Sequence, residues 1–584
     1  MRNILVLILA LISLPAWAGM SERMSSAPEA EFARWIRAQH REAAAASVIY
    51  THTTTMLPME DGVKLYTSIY VPTTGGTYPT ILERTPYNEV LAGEDSYSYS
   101  GIADYYAPKG YAVVIQTIRG KYSSEGTYRL FSTGEIDDAF TTINWIAGQS
   151  WSNGKVGIMG VSHDGLDALA AGVRNPAPLK VIISGGAPTD LRTDAFLGHG
   201  VLSVSALDYI AFMSTEQGQV YDQKFFQDYL DKTLSEPRVK THDNIVELVQ
   251  LPLWDELITQ LNTPFSPYWK TRSFRDRLTA IRVPVIHIAG LTGDGDMPDT
   301  VRNYLAMIQN SETKPLQRLI LGWWPHGGSA PYGNTRNVSQ YLLTRIDAYL
   351  AYYLQNKTSQ YLKEKPLQAY SKGQEKWVYA DQWPITAQSQ QKLFYLSNQR
   401  KLSNTVPGSS LKFDSYTCNP VTVPSLLTKD VASPGPDQAL FFSDPMPKDT
   451  YILGDGSVRI FASADTTDAD FVALLFVRSA NGSDLELASQ LGRIQARFRN
   501  GDYTAPSLIQ PNQIYEYNMP LYPISSVVKK GDRIGLLILS NFTPYVVRNA
   551  NTGKKIGTDT AFKTAHIKVY HSSQYPSAVT LVTR

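Results

Sequence analysis

The stretch Gly160-Val161-Ser162-His163-Asp164-Gly165 constrains this chain more than any other, because of what flanks it. Lys155 to Met159 reads as a short buried strand and Leu166 to Arg174 as a helix rich in small residues, so Ser162 falls on a sharp strand-to-helix turn. A serine on such a turn is exposed at the top of a parallel sheet. Gly160 lets the strained turn form, and Gly165 lets the new helix pack close to the strand it has just left. The helix N-terminus also directs backbone N–H groups at negative charge growing on an attacked carbonyl. Alone, the pattern G-x-S-x-x-G is a weak signal. It departs from the commoner G-x-S-x-G, and a serine there can simply cap a helix.

The chain opens with an address. Arg2 supplies positive charge, Ile4 to Leu14 is apolar, and Pro15-Ala16-Trp17-Ala18 offers small residues for cleavage after Ala18. The apolar run is too short to span a bilayer, so residues 1–18 read as a signal peptide and the mature protein as periplasmic or secreted. Among 584 residues there is one cysteine, Cys418, so no internal disulfide can form and the core alone must hold the fold. Lys+Arg number 54 against Asp+Glu 53, a balance that argues against a nucleic-acid or anionic-membrane partner.

Four regions follow the leader. Residues 19–50 form an alanine-rich helical arm, which leaves self-association through that arm open. Residues 51–189 and 278–360 carry apolar strands (Val63 to Val71, Thr80 to Leu82, Tyr111 to Ile118, Leu179 to Ser184, Val283 to Ile288, Leu316 to Leu321) alternating with helical patterns, as in a doubly wound parallel sheet. Residues 190–277 interrupt this pattern with helices such as Phe225 to Leu234 and Asn244 to Leu261. They read as a cap over the strand ends, where open α/β sheets bind ligands. After the amphipathic helix Val338 to Leu354, residues 361–584 become short, β-branched segments punctuated by Gly, Asp and Asn, as in a β-sandwich.

The elbow, the cap and the final β-domain together resemble the exported serine hydrolases that include cocaine esterase, the α-amino acid ester hydrolases and the X-Pro dipeptidyl-peptidases. The motifs are Met59-Glu60-Asp61-Gly62-Val63 with Leu65; Arg84-Thr85-Pro86-Tyr87; Arg119-Gly120 with Ser124-Glu125-Gly126; Trp145-Ile146-Ala147 with Trp151 to Gly157; the elbow; and Leu321-Gly322-Trp323-Trp324-Pro325-His326-Gly327. The β-domain adds Gly492-Arg493-Ile494 with Arg497-Phe498-Arg499, Lys530 to Ile534, and Asn549 to Gly553. The resemblance implies an α/β-hydrolase fold with a helical cap insertion and a C-terminal jelly-roll-like β-sandwich, and it implies no cofactor and no metal.

A serine hydroxyl needs a neutral imidazole within hydrogen-bond reach, and that imidazole needs a carboxylate to fix its tautomer. Of nine histidines, His40 and His52 lie in the arm and first strand, His163 on the elbow, and His199 and His242 in the cap. His287 is mid-strand among apolar residues, and His566 and His571 belong to the β-domain. His326 alone follows a late sheet strand, in a loop relaxed by Gly327 and Gly328, where the base of a Ser–acid–His chain order belongs. The resemblance implies that Tyr87 donates its hydroxyl to the oxyanion, with the backbone N–H of His163 as the second donor. His163 stands where relatives commonly carry Tyr, which puts a titratable ring beside the nucleophile.

The acid departs from the relatives. They carry it three residues beyond a glycine equivalent to Gly290, a position held here by Gly293. Asp294-Gly295 matches an Asp-Gly pair with one residue inserted, and Asp296-Met297 matches an Asp-Met that in the ester hydrolases is not the triad acid. Asp294 is therefore the expected acid, with Asp296 as substitute. No His-Glu-x-x-His or cysteine cluster marks a metal, and the paired acids Asp468 and Asp470 read as a solvated β-turn. The expected function is hydrolysis of a small ester or amide through an acyl-enzyme, most like an α-amino acid ester hydrolase. The alternatives are an X-Pro dipeptidyl-peptidase-like peptidase and a catalytically inactive ligand-binding protein.

Overall fold

The computed structural model describes residues 50–87, 99–190, 197–203, 206, 209, 213, 267–292, 296–324, 326, 335–385, 389–422, 435–482, 484–501, 505–542, 546–554 and 561–584. The leader, nearly all of the arm, most of the insertion and Asp294 lie outside these residues.

Twelve strands are found before residue 385: β1 (Tyr50–Pro58), β2 (Lys64–Pro72), β3 (Tyr78–Thr85), β4 (Ala112–Thr117), β5 (Ser152–Val161), β6 (Leu179–Gly185), β7 (Leu197–Gly198), β8 (Val201–Leu202), β9 (Val285–Gly290), β10 (Gln317–Gly322), β11 (Leu367–Ser371) and β12 (Lys376–Ala380). Ten of them form one sheet in the order β1-β2-β4-β3-β5-β6-β9-β10-β11-β12, with β7 and β8 a separate hairpin. From β4 to β11 all neighbours run parallel, while β1, β2 and β12 pair antiparallel at the two edges. Every residue of β3, β4 and β9 is buried. That is the signature of strands covered on both faces, and it explains the apolar runs Ile81-Leu82, Ala112 to Ile115 and Val285-Ile286 within them.

Helices α1 (Tyr99–Tyr106), α2 (Gly134–Ala147), α3 (His163–Gly172), α4 (Met297–Met307) and α5 (Thr335–Gln355) supply the covering layers. On one face α2 and α3 bury Ala139, Ile143, Ile146, Ala168 and Leu169 against Leu82, Ile158 and Ile182. On the other, α1 and α5 bury Tyr106, Tyr349, Leu350 and Leu354 against Ile81, Val113 and Ile320. α3 is buried along its whole length, which only its glycines and alanines permit at so close an approach. It starts at His163, three residues earlier than the sequence pattern suggested.

The first sheet runs on past residue 360, where the sequence pattern placed the domain boundary. β11 adds in parallel to β10, and β12 turns back beside it. The alternation in Leu-Gln-Ala-Tyr-Ser identifies a strand but not the sheet it joins. Trp377 of β12 stacks on Tyr341 of α5 at 3.8 Å, which fastens the edge. Beyond it lies a β-rich domain of thirteen strands in one hydrogen-bonded network, antiparallel except where 401–403 meets 438–443. Its core includes Phe394, Phe441, Phe471, Tyr517 and Leu581.

In that domain Asp468 and Asp470 are buried, not a solvated turn. Asp468 accepts from Arg497 Nε at 2.8 Å, Arg497 Nη2 at 2.6 Å and Gln495 Nε2 at 2.7 Å, and Asp470 accepts from Asn549 Nδ2 at 2.7 Å. Arg497 and Asn549 are the residues that the β-domain motifs singled out. Burial and the neighbouring Asp468 push the Asp470 carboxyl up to about 8.

Candidate active site

Because β3, β5, β9 and β10 are parallel, the residues that follow them gather at one edge of the sheet. Tyr87 follows β3, Ser162 follows β5, Asp296 follows β9 and His326 follows β10.

Ser162 has φ 63° and ψ −124°, a backbone region that a non-glycine residue adopts only when its surroundings enforce it. Its N–H donates to the Gly185 carbonyl at 2.8 Å, and its own carbonyl accepts from Leu166 N–H at 3.0 Å. The flanking glycines are sterically required. A Cβ on Gly160 would sit 2.4 Å from the Asp164 carbonyl, and one on Gly165 would sit 2.5 Å from the Gly185 oxygen. His163 is the first residue of α3, so its N–H has no acceptor within the helix and is available to a ligand oxygen.

Tyr87 is held from beneath by the residue three before it. The fully buried Arg84 donates to Gln116 Oε1 at 2.9 Å, to the Glu135 carbonyl at 2.9 Å and to Glu135 Oε2 at 3.0 Å. Thr85 Oγ1 then accepts from Tyr87 N–H at 3.1 Å. The Tyr87 hydroxyl interacts with the Ser162 and Tyr209 side chains. Burial, with the charges of Asp164 and Asp296, raises its pKa above the ordinary tyrosine value and keeps it a donor.

The other motifs brace these loops. Arg119 bridges Asp61 at 2.7 Å and Asp138 at 2.6 Å, while Ser124 Oγ donates to the Thr117 carbonyl and accepts from Tyr66 N–H.

His326 is buried in the loop after β10. Thr292 N–H donates to the Trp324 carbonyl at 3.2 Å and Leu291 N–H to the Gly322 carbonyl at 2.7 Å, which ties the β9 and β10 loops together. Asp296 Oδ2 lies 3.8 Å from His326 Nδ1, and the Asp296 carbonyl caps α4 by accepting from Thr300 N–H at 3.0 Å. Asp294, the acid expected first, lies outside the described residues. His287 is a buried core histidine packed on Tyr304, as its position among apolar residues indicated, and burial lowers it to about 3.

Several residues at the site escaped the sequence reading. Glu83 and Asp164 are buried carboxyls that act on each other, and burial raises both, Glu83 to about 7. Asp164 and Asp167 were visible as the two acids in a helix otherwise made of Gly, Ala and Leu. Tyr209, from the insertion, places its hydroxyl 2.6 Å from His163 Nδ1. Nothing in the insertion's pattern marked it. Among the described residues, no group of three His, Cys, Asp or Glu is arranged to hold a metal ion.

Comparison with known proteins agrees with this arrangement. Residues 61–328 match the X-Pro dipeptidyl-peptidase (S15 family), and residues 361–580 match the X-Pro dipeptidyl-peptidase C-terminal non-catalytic domain. Cocaine esterase of Rhodococcus sp. (strain MB1 Bresler) is 27% identical over 575 residues, covering 90% of this chain and 97% of the esterase. A selenomethionine-labelled α-amino acid ester hydrolase shares the fold with a TM-score of 0.80 at 23% identity, over 98% of this chain and 100% of that one. An aminopeptidase from a marine sediment Thaumarchaeota archaeon does so with a TM-score of 0.80 at 22% identity, over 92% and 96%. The two domain matches run in order along the chain, which carries an S15-type domain followed by an X-Pro dipeptidyl-peptidase C-terminal domain and has esterases and peptidases among its relatives.

Proposed function

We propose that this protein is an exported serine hydrolase that cleaves a small ester or amide through an acyl-enzyme, nearest in activity to an α-amino acid ester hydrolase. The observation that carries the reading is Ser162 itself: an enforced elbow backbone whose side chain interacts with Tyr87. In this reading Ser162 Oγ attacks the carbonyl carbon as its proton passes to His326 Nε2. The carbonyl electron pair moves onto oxygen, where the Tyr87 O–H and the His163 N–H meet it. Collapse expels the alcohol or amine, which takes the proton from His326. Water then repeats the sequence and frees Ser162.

The 3.8 Å approach of Asp296 to Nδ1 supports Asp296 as a group that can orient the imidazole. Export is supported by Arg2, the apolar run and the Ala16-x-Ala18 pattern, with Gly19 as the mature N-terminus. The C-terminal domain is read as a jelly-roll-like sandwich, which its almost wholly antiparallel ladders support.

The S15 match favours a second reading, an X-Pro dipeptidyl-peptidase-like activity. Assay of the purified mature protein against p-nitrophenyl esters, amino-acid esters, β-lactams and X-Pro-nitroanilides separates the two. Turnover of amino-acid esters without X-Pro-nitroanilides is the expected result, and the converse moves the protein to the peptidases. Ligand binding with no turnover of any substrate would leave a catalytically inactive binding protein.

A further inference from the structure

The ring of His163 has a use beyond its backbone. It is buried against Phe131 at 4.5 Å between ring centroids, with Tyr128 beyond, and the charges of Lys121 and Arg84 reach it. Its Nδ1 is 2.6 Å from the Tyr209 hydroxyl. That hydroxyl interacts with the Tyr87 hydroxyl, which in turn interacts with Ser162. On the far side of the ring, His163 Nε2 lies 3.9 Å from Asp167 Oδ1, with both side chains fully buried and no hydrogen bond between them. A line of polar side chains therefore runs from His163 through Tyr209 and Tyr87 to the nucleophile.

Hydroxyls in such a line share one direction. If Nδ1 carries the imidazole proton, it donates to Tyr209, Tyr209 donates to Tyr87, and the Tyr87 proton is left for the oxyanion. If Nε2 carries it, Tyr209 turns its proton back to Nδ1 and draws the Tyr87 proton toward itself, away from the reacting oxygen.

We propose that His163 is a positioning residue. With its proton on Nδ1, 2.6 Å from the Tyr209 hydroxyl, it acts through Tyr209 to hold the Tyr87 hydroxyl aimed at the oxyanion. The elbow residue after Ser162 thus serves the oxyanion twice, directly by its N–H and indirectly by its ring. Burial supports the neutral ring this requires. It lowers His163 to about 3 and raises Asp167 well above the ordinary carboxyl range, the latter reinforced by the charge of Glu135. The inference rests on the reading of Tyr87 as an oxyanion donor.

The test is a double-mutant cycle on the full mature chain, with hydrolysis of a p-nitrophenyl ester as readout. Tyr209→Phe should lower kcat by about ten-fold, with KM changed by less than about two-fold, because a transition-state contact loses its aim. In a Tyr87→Phe background the same change should cost less than about two-fold, since nothing is left to aim. Loss of kcat in Tyr87→Phe with none in Tyr209→Phe, or equal loss from Tyr209→Phe in both backgrounds, overturns the relay and leaves Tyr87 as donor. Full activity in Tyr87→Phe overturns the donor reading, and the relay with it. Should Tyr209→Phe fold poorly, His163 provides the check. Asn keeps an N–H near the place of Nδ1, so His163→Asn must retain a higher kcat than His163→Ala, and the reverse order refutes the proposal.

Discussion

At the scale of single residues, the site is a set of groups whose protonation is settled by burial. Tyr87 stays a phenol because it is enclosed and faces the carboxylates of Asp164 and Asp296, so it can donate across the working pH range. Tyr87→Phe keeps the ring and removes the donor. Steady-state kinetics should show kcat reduced by about 10²–10³ with little change in KM, whereas a tyrosine that only packs would lower thermal stability and spare kcat. The acid is assigned by the same logic. Asp296→Asn should cut kcat by up to about 10⁴, because His326 loses the group that fixes its tautomer, and Asp294→Asn by much less. The opposite ranking returns the role to Asp294. Sequence spacing alone could not choose between them, since both lie in a loop whose length departs from the relatives.

At the scale of elements, the legible parts were those with local requirements. β3, β4 and β9 carry apolar runs at their centres because they are buried on both faces, and the elbow needed glycine at both 160 and 165. What a strand pairs with is not written in it, which is why the pairing of β11 with β10 could not be read from its sequence. Asp468-Ala469-Asp470 was misread for a related reason. Its partners Arg497 and Asn549 lie 29 and 79 residues away along the chain, so the segment alone looks like a polar turn. Tyr209 was illegible because its role comes from contact with two loops remote in sequence. The buried pair yields a prediction about the β-domain. The folded Asp470 holds its proton up to about 8, whereas in the unfolded chain it releases it near the ordinary 3.8. Between those values the native state binds the extra proton, so this group's contribution to stability declines as pH rises through the window. Asp470→Asn can keep the bond from Asn549 without that cost. It should raise stability at pH 7–8 by about 1–3 kcal/mol, measured by denaturant unfolding, and flatten the dependence between pH 4 and 8. A loss of stability would show that Asp470 is ionised in the fold.

At the scale of the whole molecule, the parallel sheet brings four loops to one edge, and the insertion adds Tyr209 there. The hairpin of β7 and β8 meets the β-domain, where Gln495 N–H donates to the His199 carbonyl and Val547 N–H to the Leu202 carbonyl. The insertion therefore joins both the nucleophile's surroundings and the C-terminal domain. Everything proposed about function depends on Ser162 being the one nucleophile at that edge. The most direct measurement is reaction of the purified mature protein with a fluorophosphonate, followed by intact mass and peptide mapping. The account predicts a single adduct on Ser162, absent in Ser162→Ala while the melting temperature stays within a few degrees of the parent. An adduct on any other serine, or none on a folded protein, would contradict it.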